Sequence, residues 1–274
     1  DTTPNCGNIL AGVAPFAIEA GLIEPTGDST TVRINMLNSG SQCELVVRTP
    51  NGKVEYQGDA CIDGVPGSAA PIACNYLNIA GSACGGLLPT GSRIDIVDGI
   101  EISCIDNGMP VVVLRAEDMG ISGYESPAEL NANEALKSKL QSIRLQIGPK
   151  MNLGDVEGAA VPKMCMISPP LKDGICHTRT FIPYKCHSAI GVLGAVSAAT
   201  AAIIPGTVAE GIATVPAGAS KTLSVEHPSG EFSINLHVDE QTDPPQVLKA
   251  GLLRTARLLS RGELYVPEHI FITE

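Results

Sequence analysis

The chain of 274 residues contains no tryptophan, and aromatic residues make up only 3% of it. A core without large rings must be closed by small and aliphatic side chains, and at 44% hydrophobic the sequence has enough of them for a folded body. Charge is also scarce, at 17%. The formal net charge is −11, and no run of lysine and arginine is dense enough to follow a phosphate backbone, which excludes nucleic acid as a partner. Long apolar runs are missing too. The longest, from Ala189 to Pro205, is about seventeen residues against the roughly twenty that span a bilayer. No basic leader or cleavage site accompanies it, so a buried helix and no membrane are expected. The nine cysteines (6, 43, 61, 74, 84, 104, 165, 176 and 186) form no CxxC pair and no compact disulfide framework, which points to reduced thiols and a cytoplasmic location. The five histidines are isolated, with no HxxxH or HExxH spacing, and GxGxxG and GxxxxGK motifs are absent. Nothing in these residues requires a metal, a nucleotide or another cofactor.

Glycine (29) and proline (20) are plentiful and predict a turn-rich body of short strands with a few small-residue helices, one large domain or two lobes. Strand-like runs are read at Thr31–Leu37, Cys43–Arg48, Lys53–Gln57 and Ile94–Val97, the first three separated by Asn38-Ser39-Gly40 and Pro50-Asn51-Gly52. A second block starts near Gly99. There Ile100–Asp106 and Val111–Arg115 flank Asn107-Gly108-Met109-Pro110, and Ser126–Gln146 follows at helical spacing. Lys163–Ser168 and Arg179–Ile182 are further strand candidates.

Two stretches are apolar on nearly every face: Ile9–Ala20, and Ser188 to Ile204. A helix with no polar side has to be wrapped by sheet, so an α+β fold of two pseudo-symmetric lobes is expected, each with mainly antiparallel strands around one central apolar helix. Each of these helices opens just after a cysteine, Cys6 or Cys186, which is a weak internal repeat. The division expected is 1–98 for the remainder of a first lobe, 99–262 for the second, and 263–274 as a C-terminal strand returning to the first. The first residue is Asp rather than Met, and the first helix has no preceding strand to pack on, so a missing N-terminal segment is expected.

Several short motifs could carry chemistry, each with a plainer alternative. Cys6-Gly7-Asn8 at a helix N-terminus offers unpaired N–H groups to a thiolate or a bound carboxylate, or is an ordinary cap beside a small buried residue. Lys185-Cys186-His187-Ser188 holds the same place on the second helix. His187 could act there as acid, base or carboxylate donor, and Ser188 could simply be the N-cap. His227-Pro228-Ser229-Gly230 could present Ser and Gly N–H groups as an anion nest, or could be a plain turn. Asn107 could place an amide over a carboxylate or belong to a tight connection. Arg179, Arg254 and Arg257 could each take a carboxylate in a fork, although an ordinary surface role is commoner for such arginines.

Taken together, Asn5-Cys6-Gly7-Asn8, Asp106-Asn107-Gly108-Met109-Pro110, Pro162-Lys163-Met164-Cys165, Lys185-Cys186-His187 leading into Gly191–Ile204, and Glu226-His227-Pro228-Ser229-Gly230-Glu231 resemble the family of 4-oxalomesaconate tautomerases and methylaconitate isomerases. The resemblance runs from Asn5 to about Leu264, and is nearer the tautomerases at Ile105–Val113, Gly148–Asp155 and Arg254–Leu259. It implies a diaminopimelate-epimerase-like fold and a cofactor-free isomerase that makes a 1,3-proton shift in 4-oxalomesaconate, in aromatic-acid catabolism of the gallate and protocatechuate type. Methylaconitate or aconitate isomerisation and non-catalytic polycarboxylate binding are the alternatives. The resemblance also implies an active site between the lobes, with Cys6 and His187 as catalytic residues and Gly7, Asn8, Asn107, Ser188, His227, Ser229 and Gly230 on the substrate. His187 stands where related epimerases carry a second thiol. The family's Arg-Gly-Gly-Thr-Ser-Lys-Gly type motif and catalytic lysine do not occur in these 274 residues. A small polycarboxylate is the expected partner, and a homodimer is left open.

Overall fold

The computed structural model describes residues 6–37, 39–263 and 265–267. Two short helices come first, α1 (Gly7–Leu10) and α2 (Val13–Glu19). Strands β1 (Ser29–Met36), β2 (Ser41–Arg48), β3 (Ala60–Cys61), β4 (Ser68–Ala69) and β5 (Ile72–Leu77) follow. Next are β6 (Asp95–Val97), β7 (Ile100–Asp106) and β8 (Pro110–Arg115), and then helices α3 (Pro127–Ala132) and α4 (Glu134–Ile147). Strands β9 (Lys163–Ser168) and β10 (Cys176–Phe181) lead to α5 (Val192–Ile203), and β11 (Ser220–His227), β12 (Gly230–Asp239) and β13 (Gln246–Arg254) complete the order.

Eleven strands form one sheet, in the order β1-β2-β5-β13-β12-β11-β10-β9-β8-β7-β6, while β3 and β4 pair apart. The neighbours are antiparallel except β8 with β9 and β10 with β11. The last strand therefore lies beside the fifth, Leu252 opposite Cys74, and joins the early strands to the late ones. The return expected for 263–274 falls largely outside the described residues.

Helix α5 is enclosed as its composition demands, buried at every position but Ala202. Its two hydroxyls are satisfied internally: Ser197 donates to the Met109 carbonyl at 2.7 Å, and Thr200 to that of Val196 at 2.7 Å. The earlier apolar stretch behaves differently. A continuous helix from Ile9 to Ala20 would drive the Pro15 ring into the Ala11 carbonyl, so the chain breaks at Ala11-Gly12 and Pro15 sits in the first turn of α2, where no N–H is needed. Leu10, Ala14 and Ile18 join the core, while Ile9 and Phe16 stand exposed.

The stretch read as one helix over Ser126–Gln146 is two. Ser126 and Glu129 form a reciprocal capping box on α3, and Asn133 stops that helix and caps α4 through its side-chain oxygen, 3.0 Å from the Leu136 N–H. The run Lys53–Gln57 finds no strand partner and is irregular. Among the described residues no helix is long and apolar enough to cross a membrane.

Candidate active site

The N-termini of α1 and α5 meet. Gly7, the first residue of α1, packs so closely on Val192, the first of α5, that a Cβ at Gly7 would lie 2.6 Å from the Val192 Cβ and 3.0 Å from the Tyr76 hydroxyl. Glycine here permits the contact, and Cys6 and Asn8 emerge exposed on either side of it. Cys6 occupies the N-cap in an extended conformation and makes no side-chain capping bond. Beside this junction opens a cleft of about 560 Å³, a size typical of small-molecule sites, lined among others by Asn8, His187, Ser188, His227, Ser229 and Arg254.

Helix α5 starts four residues later than expected. Gly191 is its N-cap, so Ser188 does not cap it and lies exposed in the cleft wall instead. The intervening turn is held by His187, whose Nδ1 accepts the Ala189 N–H at 2.9 Å. That bond places the imidazole proton on Nε2 in the neutral ring. Burial pulls the His187 pKa below its ordinary value, with the Lys163 charge adding to the effect, so the ring is neutral near pH 7. His187 is therefore a neutral N–H donor there. Cys186 is buried behind it, and desolvation pushes its thiol up to about 11, which keeps it protonated.

His227 is built in the same way on the β11–β12 hairpin. Its Nδ1 faces the Ser229 N–H and hydroxyl, both at 3.3 Å, and burial lowers its pKa, with the neighbouring His187 contributing. The anion nest read for Ser229-Gly230 is not formed, because the Ser229 N–H points at its own histidine. Only the Ser229 side remains open to the cleft. Gly230, at φ 147°, sits against Asp63 and borders a neighbouring cleft of about 510 Å³.

Asn107 is not brought to the site. It is fully buried behind α5, where its amide donates to Thr200 at 2.9 Å and its backbone N–H to Ser197 at 3.2 Å. The Asn107-Gly108 turn fixes α5 against β7 and β8, a packing role. Of the nine residues named from sequence, Asn8, His187, Ser188, His227 and Ser229 line one cleft. Cys6 and Gly7 stand at the helix junction beside it, Gly230 borders the next cavity, and Asn107 is enclosed.

Of the three arginines that could take a carboxylate in a fork, Arg254 differs from the surface role commoner for such residues. It follows Ala250 and Leu252 on the inward face of β13 and is 8% exposed, so it is no surface residue. Arg179 is buried as well, but its Nε donates to the Glu125 carbonyl and its Nη1 to the Thr178 carbonyl and His177 Nδ1. Exposed Arg257 donates to the Pro66 and Ser68 carbonyls.

The PrpF protein family model matches residues 1–267. The chain belongs to the PrpF family. It is 55% identical to a (4E)-oxalomesaconate Delta-isomerase of Novosphingobium sp. and 53% identical to a 4-oxalomesaconate tautomerase of Pseudomonas putida, each over 96% of this chain and 72% of the relative. A 2-methyl-aconitate isomerase of Shewanella oneidensis is 31% identical over 98% of this chain and 74% of its own. Among solved structures, methylitaconate-delta-isomerase superposes with a TM-score of 0.83 at 27% identity, over 99% of this PrpF chain and 75% of that one. A hydroxyproline epimerase from Agrobacterium vitis, at TM-score 0.52 and 14% identity over 93% and 66% of the two chains, shares the fold alone. This PrpF protein thus has the α+β, diaminopimelate-epimerase-like fold.

Proposed function

We propose that this PrpF chain is an isomerase that moves a proton between two carbons of 4-oxalomesaconate. One C–H bond breaks, another forms two carbons away, the double bond shifts between them, and nothing is oxidised or reduced. The observation that carries the reading is the pair of neutral histidines, His187 and His227, facing one cleft with Nδ1 of each already occupied. Each ring then carries its proton on Nε2, and a neutral donor can stabilise the enolate that forms when the substrate loses its proton. Asn8, Ser188 and Ser229 add donors for the substrate's carboxylates. Cys6, exposed at the helix junction with no capping bond, takes the departing proton on Sγ from the first carbon and returns it to the far end of the conjugated system. The names of the relatives support 4-oxalomesaconate over methylaconitate and methylitaconate, since the two most similar of those described act on it by name.

The test is an ultraviolet assay of the purified chain on 4-oxalomesaconate, 2-methylaconitate and 3-methylitaconate in deuterated water. Loss or gain of the enol absorbance with 4-oxalomesaconate, together with deuterium entering the product, is expected. In an active chain Cys6→Ala should lower kcat by ~100-fold or more while ligand affinity stays within about threefold. Turnover of another of the three acids alone would replace the substrate, and binding without exchange would make this a polycarboxylate-binding protein.

A further inference from the structure

Among the described residues Arg254 is a cation without a counter-ion. Its Nη1 donates to the neighbouring Leu253 carbonyl at 3.0 Å, its guanidinium lies 4.0 Å over the Phe232 ring, and its Nε is buried with no hydrogen-bond partner. No carboxylate of the described residues is within ion-pair distance of it. Asp63 lines the same cleft, but its Oδ2 accepts the Glu231 N–H and makes no ion pair with the arginine. The groups that could offset the charge are Cys74 and Tyr76, and neither is an anion near neutral pH. Burial pushes the Cys74 thiol up to about 12 and the Tyr76 hydroxyl higher still. An arginine stays charged in such surroundings, so the fold maintains a desolvated guanidinium with unused donors on the wall of the candidate active site.

Leaving a buried charge unpaired is costly, and a structural arginine avoids that cost by bonding as Arg179 does. We propose that Arg254 is the anion anchor of this cleft, binding one carboxylate of the ligand through its Nε and terminal nitrogens. The assignment rests on the reading of the cleft as a polycarboxylate site and deepens it. The histidines and hydroxyls across the cleft meet the remaining polar groups, while the arginine fixes which end of the acid enters. A planar fork accepts a planar carboxylate in one plane only, so Arg254 also selects the face of the conjugated system turned towards the helix junction.

The experiment is calorimetric titration of the whole chain with tricarballylate, an unreactive saturated tricarboxylate, comparing the wild type with Arg254→Met. Truncating one partner of a buried charge pair should weaken binding by ~30-fold or more. The free Met variant should melt no lower than wild type, because the charge it removes is unpaired. In a nitrogen-labelled wild-type chain the Arg254 Nε–H resonance should shift on saturation. If the Met variant does not fold, Arg254→Gln is held to the same affinity criterion. Wild-type binding that survives either substitution within about twofold overturns the assignment and leaves the polycarboxylate reading standing. A wild-type chain that does not bind tricarballylate overturns that reading, and the assignment with it.

Discussion

Replacing His177 with glutamine should flatten the acid side of the stability curve. His177 lies buried on β10 with Nδ1 accepting from Arg179 at 2.8 Å and the Tyr124 ring meeting it edge-on at 5.5 Å. Desolvation and the Arg179 charge, opposed by Glu226, hold its pKa down at about 4 from an ordinary 6.5. Between those values the unfolded chain binds a proton that the folded chain refuses, so stability is full above pH 6.5 and falls as the pH drops towards 4. The whole shift corresponds to about 3 kcal/mol, and the part lost between about pH 7.5 and about pH 5 to about 2 kcal/mol. Glutamine keeps an acceptor for Arg179 but does not titrate. Urea unfolding of both chains across this range, followed by circular dichroism, gives the difference directly. His187 and the carboxylates that do not face His177 are common to both chains and cancel, while Glu226 and His227, which do, are altered by the substitution. A difference that stays constant within about 0.5 kcal/mol from pH 7.5 to 5 would refute the reasoning.

Two further substitutions probe the scaffold of the cleft. Gly7→Ala should cost about 1–3 kcal/mol by urea unfolding, because the new Cβ meets the Val192 Cβ and Cγ1. The cost should shrink in a Val192→Gly background, where those atoms are gone, and an unchanged cost would mean that the helix junction is not the constraint. Arg144, fully buried on α4, donates Nη1 to the carbonyls of Val156, Ala159 and Val161 at 2.9, 3.2 and 3.1 Å. Arg144→Leu leaves them without that donor and should destabilise by about 3 kcal/mol or more; a loss under about 1 kcal/mol would show that water replaces the guanidinium.

The strands legible in the sequence were those whose own residues carry the signal. Ile100–Asp106 and Lys163–Ser168 are rich in aliphatic and sulfur side chains, and they occupy the residues expected. Strand β5, with Ala73, Cys74 and Asn75 at its centre, has little β-propensity and exists because β2 and β13 hold it on both sides. In β13, Lys249, Gly251 and Arg254 blur the alternation, so the sequence alone leaves the arginine open between a carboxylate fork and a surface role. Lys53–Gln57 has a strand's composition but stays irregular, with single backbone bonds to Arg48 and Ala70 in place of a ladder. At the site, short motifs marked the histidine turns, since His187-Ser188-Ala189 and His227-Pro228-Ser229 each place a ring nitrogen two residues before a backbone donor. What a motif does not encode is direction. Asn107 looked as suited to a carboxylate as Asn8 did, and only the packing of α5 turned its amide inward.

The placement of β13 between β5 and β12 also sets an order of events in the cell. Strand β5 ends at Leu77 and its partner begins at Gln246, so a ribosome working at ~5–20 residues per second leaves one edge of β5 open for roughly ten to thirty seconds. During that interval the early strands present unpaired N–H and C=O groups beside Cys74 and Tyr76, an invitation to another nascent chain. The same closure brings Arg254 to Phe232 and the cleft, so the binding surface is completed only when the sheet is zipped across the chain. Contacts this distant in sequence fold slowly, and yield on expression should depend on chaperones and temperature more than the final stability of the protein would suggest.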